Sequence, residues 1–153
     1  MQIGEIAIIP KPLEQTAGEG YFVIDDNTTI SVENEEQANI ANRFFRQFEV
    51  VSGWKPSVSI GKEGDITFTT DSTLEAEGYT LNVTTTIIQV KAATGSGFFY
   101  AMESLKQLLP ISFYASENQT NIAWGVPAVR IKDAPAFDWR GYMLDVSRHF
   151  FDK

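Results

Sequence analysis

The residues best equipped for chemistry crowd into the last stretch of the chain, Pro135 to Phe151, which reads P-A-F-D-W-R-G-Y-M-L-D-V-S-R-H-F-F. It holds Arg140, Asp145, Ser147, Arg148 and His149 within a few residues of one another. Trp139 to Val146 has the bulky apolar composition of a strand, and Asp133-Ala134-Pro135-Ala136 before it is an extended approach fixed by its proline. In a regular strand, positions five apart face opposite ways. Arg140 and Asp145 therefore line one pocket only if a bulge intervenes, and Asp145 is expected to anchor Arg148, His149 or a neighbouring strand. Ser147-Arg148-His149 lacks the strand–turn–helix setting of a nucleophile elbow. His149 is the sole histidine and there is no cysteine, so neither a metal cluster nor a thiolate site is expected. No cofactor motif is present.

The other candidate groups have structural explanations. Asp25-Asp26-Asn27 is too short a cluster for a calcium loop and reads as a hairpin turn between Tyr21–Ile24 and Thr28–Val32. Glu35-Glu36 sits in the first turn of a helix capped by Asn34, with Gln37 three residues after the cap. Thr94-Gly95-Ser96-Gly97 invites a phosphate-loop reading, but no Gly-Lys-Ser/Thr follows, and close packing of a helix on a strand accounts for the glycines. Sequons at Asn27, Asn82 and Asn118 are short patterns that arise by chance in a chain rich in Thr and Asn.

These groups must be positioned by a modest set of elements. Ala38, Ala41, Phe44, Phe45, Phe48 and Val51 recur at the helical period up to a stop at Gly53. Phe98, Met102, Leu105 and Leu109 define a second helix ended by Pro110. Ile6–Ile9, Val58–Ile60, Ile66–Thr70, Tyr79–Thr84 and Ile87–Ala92 read as strands, several alternating between apolar and polar positions. Thr84-Thr85-Thr86 turns the last hairpin, and Ile111–Tyr114 and Ile122–Ile131 are expected to be extended. Trp54 covers a core edge. The predicted fold is α+β: a largely antiparallel sheet of about six or seven strands, with two amphipathic helices on one face.

Composition narrows the partners. The 153 residues suit one domain, and 43% hydrophobic content with 11 Phe supports a real core. A net charge of −8 argues against nucleic acid or an anionic membrane as partner. No apolar run approaches the roughly 20 residues of a membrane span. The first residues, Met1-Gln2-Ile3-Gly4-Glu5, carry no signal-peptide features, so an exported protein is expected to have had its signal removed.

Three stretches together resemble one family. F-D-W-R-G-Y-M-L-D-V-S-R-H-F-F resembles the opening strand of the catalytic barrel of the β-N-acetylhexosaminidases of glycoside hydrolase family 20. I-I-P-K-P at Ile8–Pro12 and A-T-G-S-G-F-F-Y-A-M-E-S-L-K-Q-L-L-P at Ala93–Pro110 resemble the small non-catalytic domain ahead of that barrel. The resemblance implies an accessory α+β domain at residues 1–134 and the first strand of a truncated (β/α)8 barrel at residues 135–153. It implies an exo-acting, exported parent enzyme that removes terminal β-linked N-acetylhexosamine by substrate-assisted retaining hydrolysis. Arg140 is then the arginine that grips hydroxyls of the terminal sugar, a task suited to its planar fork of five donors. The family's catalytic Asp–Glu pair matches nothing in this chain, so the chain alone is expected to be inactive, with the absent barrel as its partner.

Two alternatives remain at this stage. One is the leading domain of another barrel glycosidase, of α-glucuronidase or O-GlcNAc hydrolase type, although the R-G-Y-M-L-D-V-S-R-H run favours family 20. The other is a stand-alone carbohydrate-binding module stacking sugars on Trp54, Tyr114 or Trp124. Without a barrel, the strand from Tyr142 to Phe151 is expected to be disordered, to dock on its own sheet or to self-associate with a second copy.

Overall fold

The computed structural model describes residues 6–143. Its elements are strand β1 (Glu14–Ile24), β2 (Thr29–Val32), helix α1 (Glu35–Ser52), β3 (Ser57–Ile60), β4 (Ile66–Thr70), β5 (Tyr79–Val83), β6 (Ile88–Ala92), helix α2 (Gly95–Leu108), a 3-10 turn (Ile111–Tyr114) and β7 (Trp124–Asp133). The seven strands form one sheet in the order β1-β7-β5-β6-β4-β2-β3.

Helix α1 forms for the reasons its sequence supplies. The Asn34 side chain accepts from the Gln37 N–H at 3.0 Å, and Gly53 closes the other end in the left-handed region at φ 76°. Every member of its apolar stripe is buried. In α2 the stripe likewise faces the sheet, and Phe98 stacks on Phe68 of β4 with ring centroids 5.2 Å apart. Thr94 precedes α2 without capping it. Its hydroxyl donates instead to the Ala76 carbonyl. A Cβ on Gly97 would stand 2.4 Å from the Gly78 carbonyl oxygen and 2.8 Å from the Ala92 Cβ. The glycine is there to let helix and strand approach, as its sequence context suggested.

The sheet is mixed. β1/β7, β7/β5 and β5/β6 pair antiparallel, whereas β6/β4, β4/β2 and β2/β3 pair parallel. The two-helix, seven-strand α+β layout matches expectation, but antiparallel pairing covers only half the sheet. The reason is α1. A helix between β2 and β3 makes a crossover connection, which joins parallel neighbours. The Asp25–Asn27 turn exists, with Thr28 N donating to the Asp25 carbonyl at 3.2 Å, yet it closes no hairpin. β2 is paired on both sides by β3 and β4, and β1 pairs with β7 at the far edge. The β5–β6 hairpin closes at Thr84–Thr86 as predicted, the Thr84 N–H donating to the Ile87 carbonyl at 3.0 Å.

Three local assignments differ. Ile6–Ile9 is irregular, its backbone engaged by the side chains of Gln15 and Gln107. The strand begins later and runs longer, with a register shift between Ala17 and Tyr21 that admits Gly18 and Gly20. Ile111–Tyr114 is a 3-10 turn that drives Phe113 into the core. Among the described residues of the expected terminal strand, Trp139–Met143 take no regular structure, and the rest of that stretch lies outside the described residues.

The core lies between the helices and one sheet face. Phe44, Phe48, Phe113 and Trp124 meet there, Phe48 edge-on to Trp124 at 5.6 Å. The opposite sheet face is polar, with Thr67, Thr80, Asn82, Gln89, Lys91, Arg130 and Lys132 half-buried or exposed.

Replacing Phe48 with Ala should cost about 3–5 kcal/mol, and Gly97→Ala about 1–3 kcal/mol because its nearest contact is the Gly78 backbone, both read from urea midpoints. Asp65 carries a pH dependence. Its carboxylate accepts from the Thr29 N–H at 2.9 Å and from the Thr29 hydroxyl at 2.8 Å, bonds that hold its pKa below the ordinary carboxylate value. A depressed carboxylate pKa stabilises the fold above the unfolded value, and that contribution is lost as pH falls through the folded one. Thermal melting from about pH 6 to about pH 2 should show this loss in the wild type and less of it in Asp65→Asn.

Candidate functional site

β7 is the strand that delivers the chain's reactive stretch, and its last residue, Asp133, opens the candidate site. The Asp133 side chain accepts from the Leu13 N–H at 3.1 Å, which ties the segment before β1 to the end of β7. Opposite Asp133 in the ladder stands Tyr79, whose hydroxyl shares a 2.5 Å hydrogen bond with Ser104 of α2. Burial, reinforced by the nearby Asp133 charge, pushes the Tyr79 hydroxyl up to about 12, so it remains a neutral hydrogen-bonding group.

Beyond Asp133 the chain passes along α2. The Arg140 guanidinium donates to the Glu77 carboxylate at 2.6 Å, to the Phe137 carbonyl at 2.6 Å and to the Tyr100 hydroxyl at 3.2 Å. It also lies over the Tyr100 ring, 5.9 Å from the centroid. The Glu77 bond, followed by that from Tyr100, holds Arg140 still more firmly in its charged form. On the other flank, Gln107 of α2 grips Ile9 twice, accepting from its N–H at 2.9 Å and donating to its carbonyl at 3.0 Å.

Together the pre-β1 segment, α2 and residues 133–140 enclose a groove of about 640 Å³. Leu13, Tyr79, Tyr100 and Phe137 supply apolar wall. Most of the polar groups along it have partners within it: Asp133 with Leu13, Gln107 with Ile9, Ser104 with Tyr79 and Arg140 with Glu77. Among the described residues no buried side-chain polar atom lacks a partner, and no cluster of three acidic or imidazole groups could hold a metal. This arrangement fastens three chain segments together. It holds no nucleophile beside a base and no pair of free carboxylates.

Arg140 is thus the one sequence-nominated residue found at the site, and its partners Glu77 and Tyr100 come from 63 and 40 residues upstream. Asp145, Ser147, Arg148 and His149 lie outside the described residues. Sequence reasoning missed Glu77, Tyr100 and Gln107. Tyr100 and Gln107 do carry a signal, as polar positions on the α2 flank beside its apolar stripe. The stacking platforms largely disappear: Trp124 is buried, and Trp54 lies half-buried and parallel to Phe48 at 6.5 Å. Tyr114 alone of the three is exposed.

Comparison with known proteins decides the family. The family model for glycosyl hydrolase family 20, domain 2, matches residues 5–134. The chain belongs to glycosyl hydrolase family 20. It is 37% identical over 150 residues to a beta-hexosaminidase of Porphyromonas gingivalis, covering 95% of this chain and 19% of that protein. It is 31% identical over 145 residues to a beta-hexosaminidase of Vibrio furnissii, covering 95% and 22%. An N-acetyl-beta-hexosaminidase of Streptomyces plicatus, solved with Thio-NAglucal, superposes with TM-score 0.82 at 28% identity, over 94% of this chain and 29% of that one. A beta-N-acetylhexosaminidase of Bacteroides fragilis gives TM-score 0.71 at 28% identity, over 95% and 28%. The chain therefore spans about a fifth of the length of these curated relatives. It corresponds to the non-catalytic domain 2 of the family 20 glycosidases, multidomain proteins in which it is one part.

The clamp on Arg140 makes a specific prediction. The pair is exposed, so Glu77→Gln or Arg140→Gln should change global stability by less than about 1 kcal/mol. Either change should nevertheless speed chymotryptic cleavage at Phe137 and Trp139, and unchanged cleavage rates in both would contradict the clamp.

Proposed function

We propose that this domain is the brace of an exo-acting β-N-acetylhexosaminidase, seating the chain segment that enters the catalytic domain. The observation that carries the proposal is the triple fastening at the exit of β7. Leu13 holds Asp133, Gln107 holds Ile9, and Glu77 with Tyr100 holds Arg140. A segment so fixed leaves the domain in a defined direction, which is what a following catalytic unit needs in order to be held in place.

The relatives' names, beta-hexosaminidase and beta-N-acetylhexosaminidase, support a substrate bearing terminal β-linked N-acetylhexosamine. Hydrolysis would be substrate-assisted, the 2-acetamido oxygen attacking the anomeric carbon while an acid protonates the leaving oxygen. The Asp–Glu pair for that step is supplied from outside this chain. Arg140 would contribute from within it, donating to hydroxyls of the terminal sugar.

The test is an assay on a chromogenic β-N-acetylglucosaminide. The chain alone should release no chromophore. In a protein joining this domain to its catalytic domain, Arg140→Ala should lower kcat/KM about tenfold to a hundredfold, the loss expected for a charged donor to substrate. Glu77→Gln, which removes the main partner of the Arg140 guanidinium, should lower kcat/KM by less than Arg140→Ala does. Turnover by the chain alone would defeat the proposal, as would an Arg140→Ala enzyme with wild-type kcat/KM.

A further inference from the structure

The clamp on Arg140 fixes where the chain leaves this domain, and the groove beside that exit stays open. Its apolar side chains stand far out of the fold: Ile9 is 78% exposed, Leu13 67% and Phe137 74%. All three line the same groove of about 640 Å³, together with Tyr79 and Tyr100. Backbone contacts hold the first two in place. Gln107 grips the Ile9 N–H and carbonyl, and Asp133 accepts from the Leu13 N–H. The segment before β1 is therefore fastened with its apolar groups toward solvent. Single exposed apolar residues need no explanation, but several gathered on one groove mark a surface that something covers.

The chemistry of the groove selects the kind of occupant. Most of its polar groups are engaged with one another, and Glu103, which also lines it, pairs with Lys106 at 2.5 Å. Lys11 makes no ion pair among the described residues. One exposed cation is too little for a sugar, whose recognition needs several polar groups free to converge on it. An aliphatic and aromatic lining with satisfied polar groups around it has the make-up of the centre of a protein–protein contact.

Position selects among proteins. Pro135, Ala136, Phe137 and Arg140 line the groove themselves, and exposed Trp139, Tyr142 and Met143 extend its apolar surface along the segment leaving it. Most of the length of the curated relatives lies outside this domain. A unit joined through that short segment stands at the groove with an effective concentration on the order of millimolar. A second copy in dilute solution has no such advantage.

We propose, resting on the bracing reading above, that this groove is the socket in which the catalytic unit of the same protein docks, its apolar side chains closing over Ile9, Leu13 and Phe137. The contact lies far in sequence from the exit, so the brace holds its partner at a second place besides the covalent join. The chain has no cysteine, so a single introduced thiol reports its own surroundings. Leu13→Cys and Ile9→Cys are each reacted with a chromogenic disulfide reagent, in this chain alone and in a protein joining it to its catalytic domain. Val23→Cys, at an exposed apolar position at the far end of β1, is the control. In the joined protein the thiols at 13 and 9 should react at least about tenfold more slowly than in the chain alone, as sites that react only on opening do, while the thiol at 23 should stay within about twofold. Equal rates at 13 and 9 in the two proteins would overturn the proposal. So would protection in the chain alone that grows with its concentration, which would assign the groove to a second copy. Phe48→Ala in the joined protein keeps the two readings apart. If it lowers the unfolding transition of the catalytic unit while the thiols at 13 and 9 stay reactive, the domain braces through another surface and the socket alone fails. If neither responds, both fail.

Discussion

The packing of Trp124 against Phe48 and Phe113 is the contact on which the rest of this domain depends. Trp124 opens β7, and the edge-on approach of Phe48 at 5.6 Å fixes that strand to α1 from below. β7 then lies between β1 and β5, paired with β1 from Trp124 onward and with β5 over Val129–Asp133. Its far end, Asp133, paired with Tyr79 of β5, is the point from which the chain departs. Losing the aromatic contact would loosen the strand that carries the exit segment as well as leaving a void in the core.

From that platform the exit segment is steered by polar contacts of low individual worth. The Asp133–Leu13, Gln107–Ile9 and Arg140–Glu77 contacts are solvent-exposed, each contributing little to global stability. Their effect is directional. Three chain segments distant in sequence are pinned within one groove, and the last of them carries Arg140. The division of labour is physical: apolar burial supplies stability, and exposed hydrogen bonds supply orientation.

Much of this was legible in the sequence where the signal is local. The α1 cap at Asn34, its stop at Gly53 and its Phe stripe depend on neighbouring residues, and they fold as written. The glycine at 97 is also readable, because a small residue at the first turn of a helix after a strand signals close approach. Pairing partners are not local. Nothing in Tyr21–Val32 states that β1 and β2 go to opposite sides of the sheet, since β-branched runs flanking a turn look the same whether or not they form a hairpin. The clamp escaped for the same reason: Glu77 is an unremarked loop acid until the fold brings Arg140 to it. Arg140 itself was found through family resemblance, and its spacing alone would not have singled it out.

The account stands or falls on whether this domain and the catalytic unit it accompanies behave as one body. The decisive measurement is calorimetric unfolding of a protein containing both, wild type against Phe48→Ala. Bracing predicts that destabilising this core lowers the transition of the catalytic unit together with that of the domain, ideally as one cooperative peak. Two separate transitions, with the catalytic peak unmoved by Phe48→Ala, would contradict it.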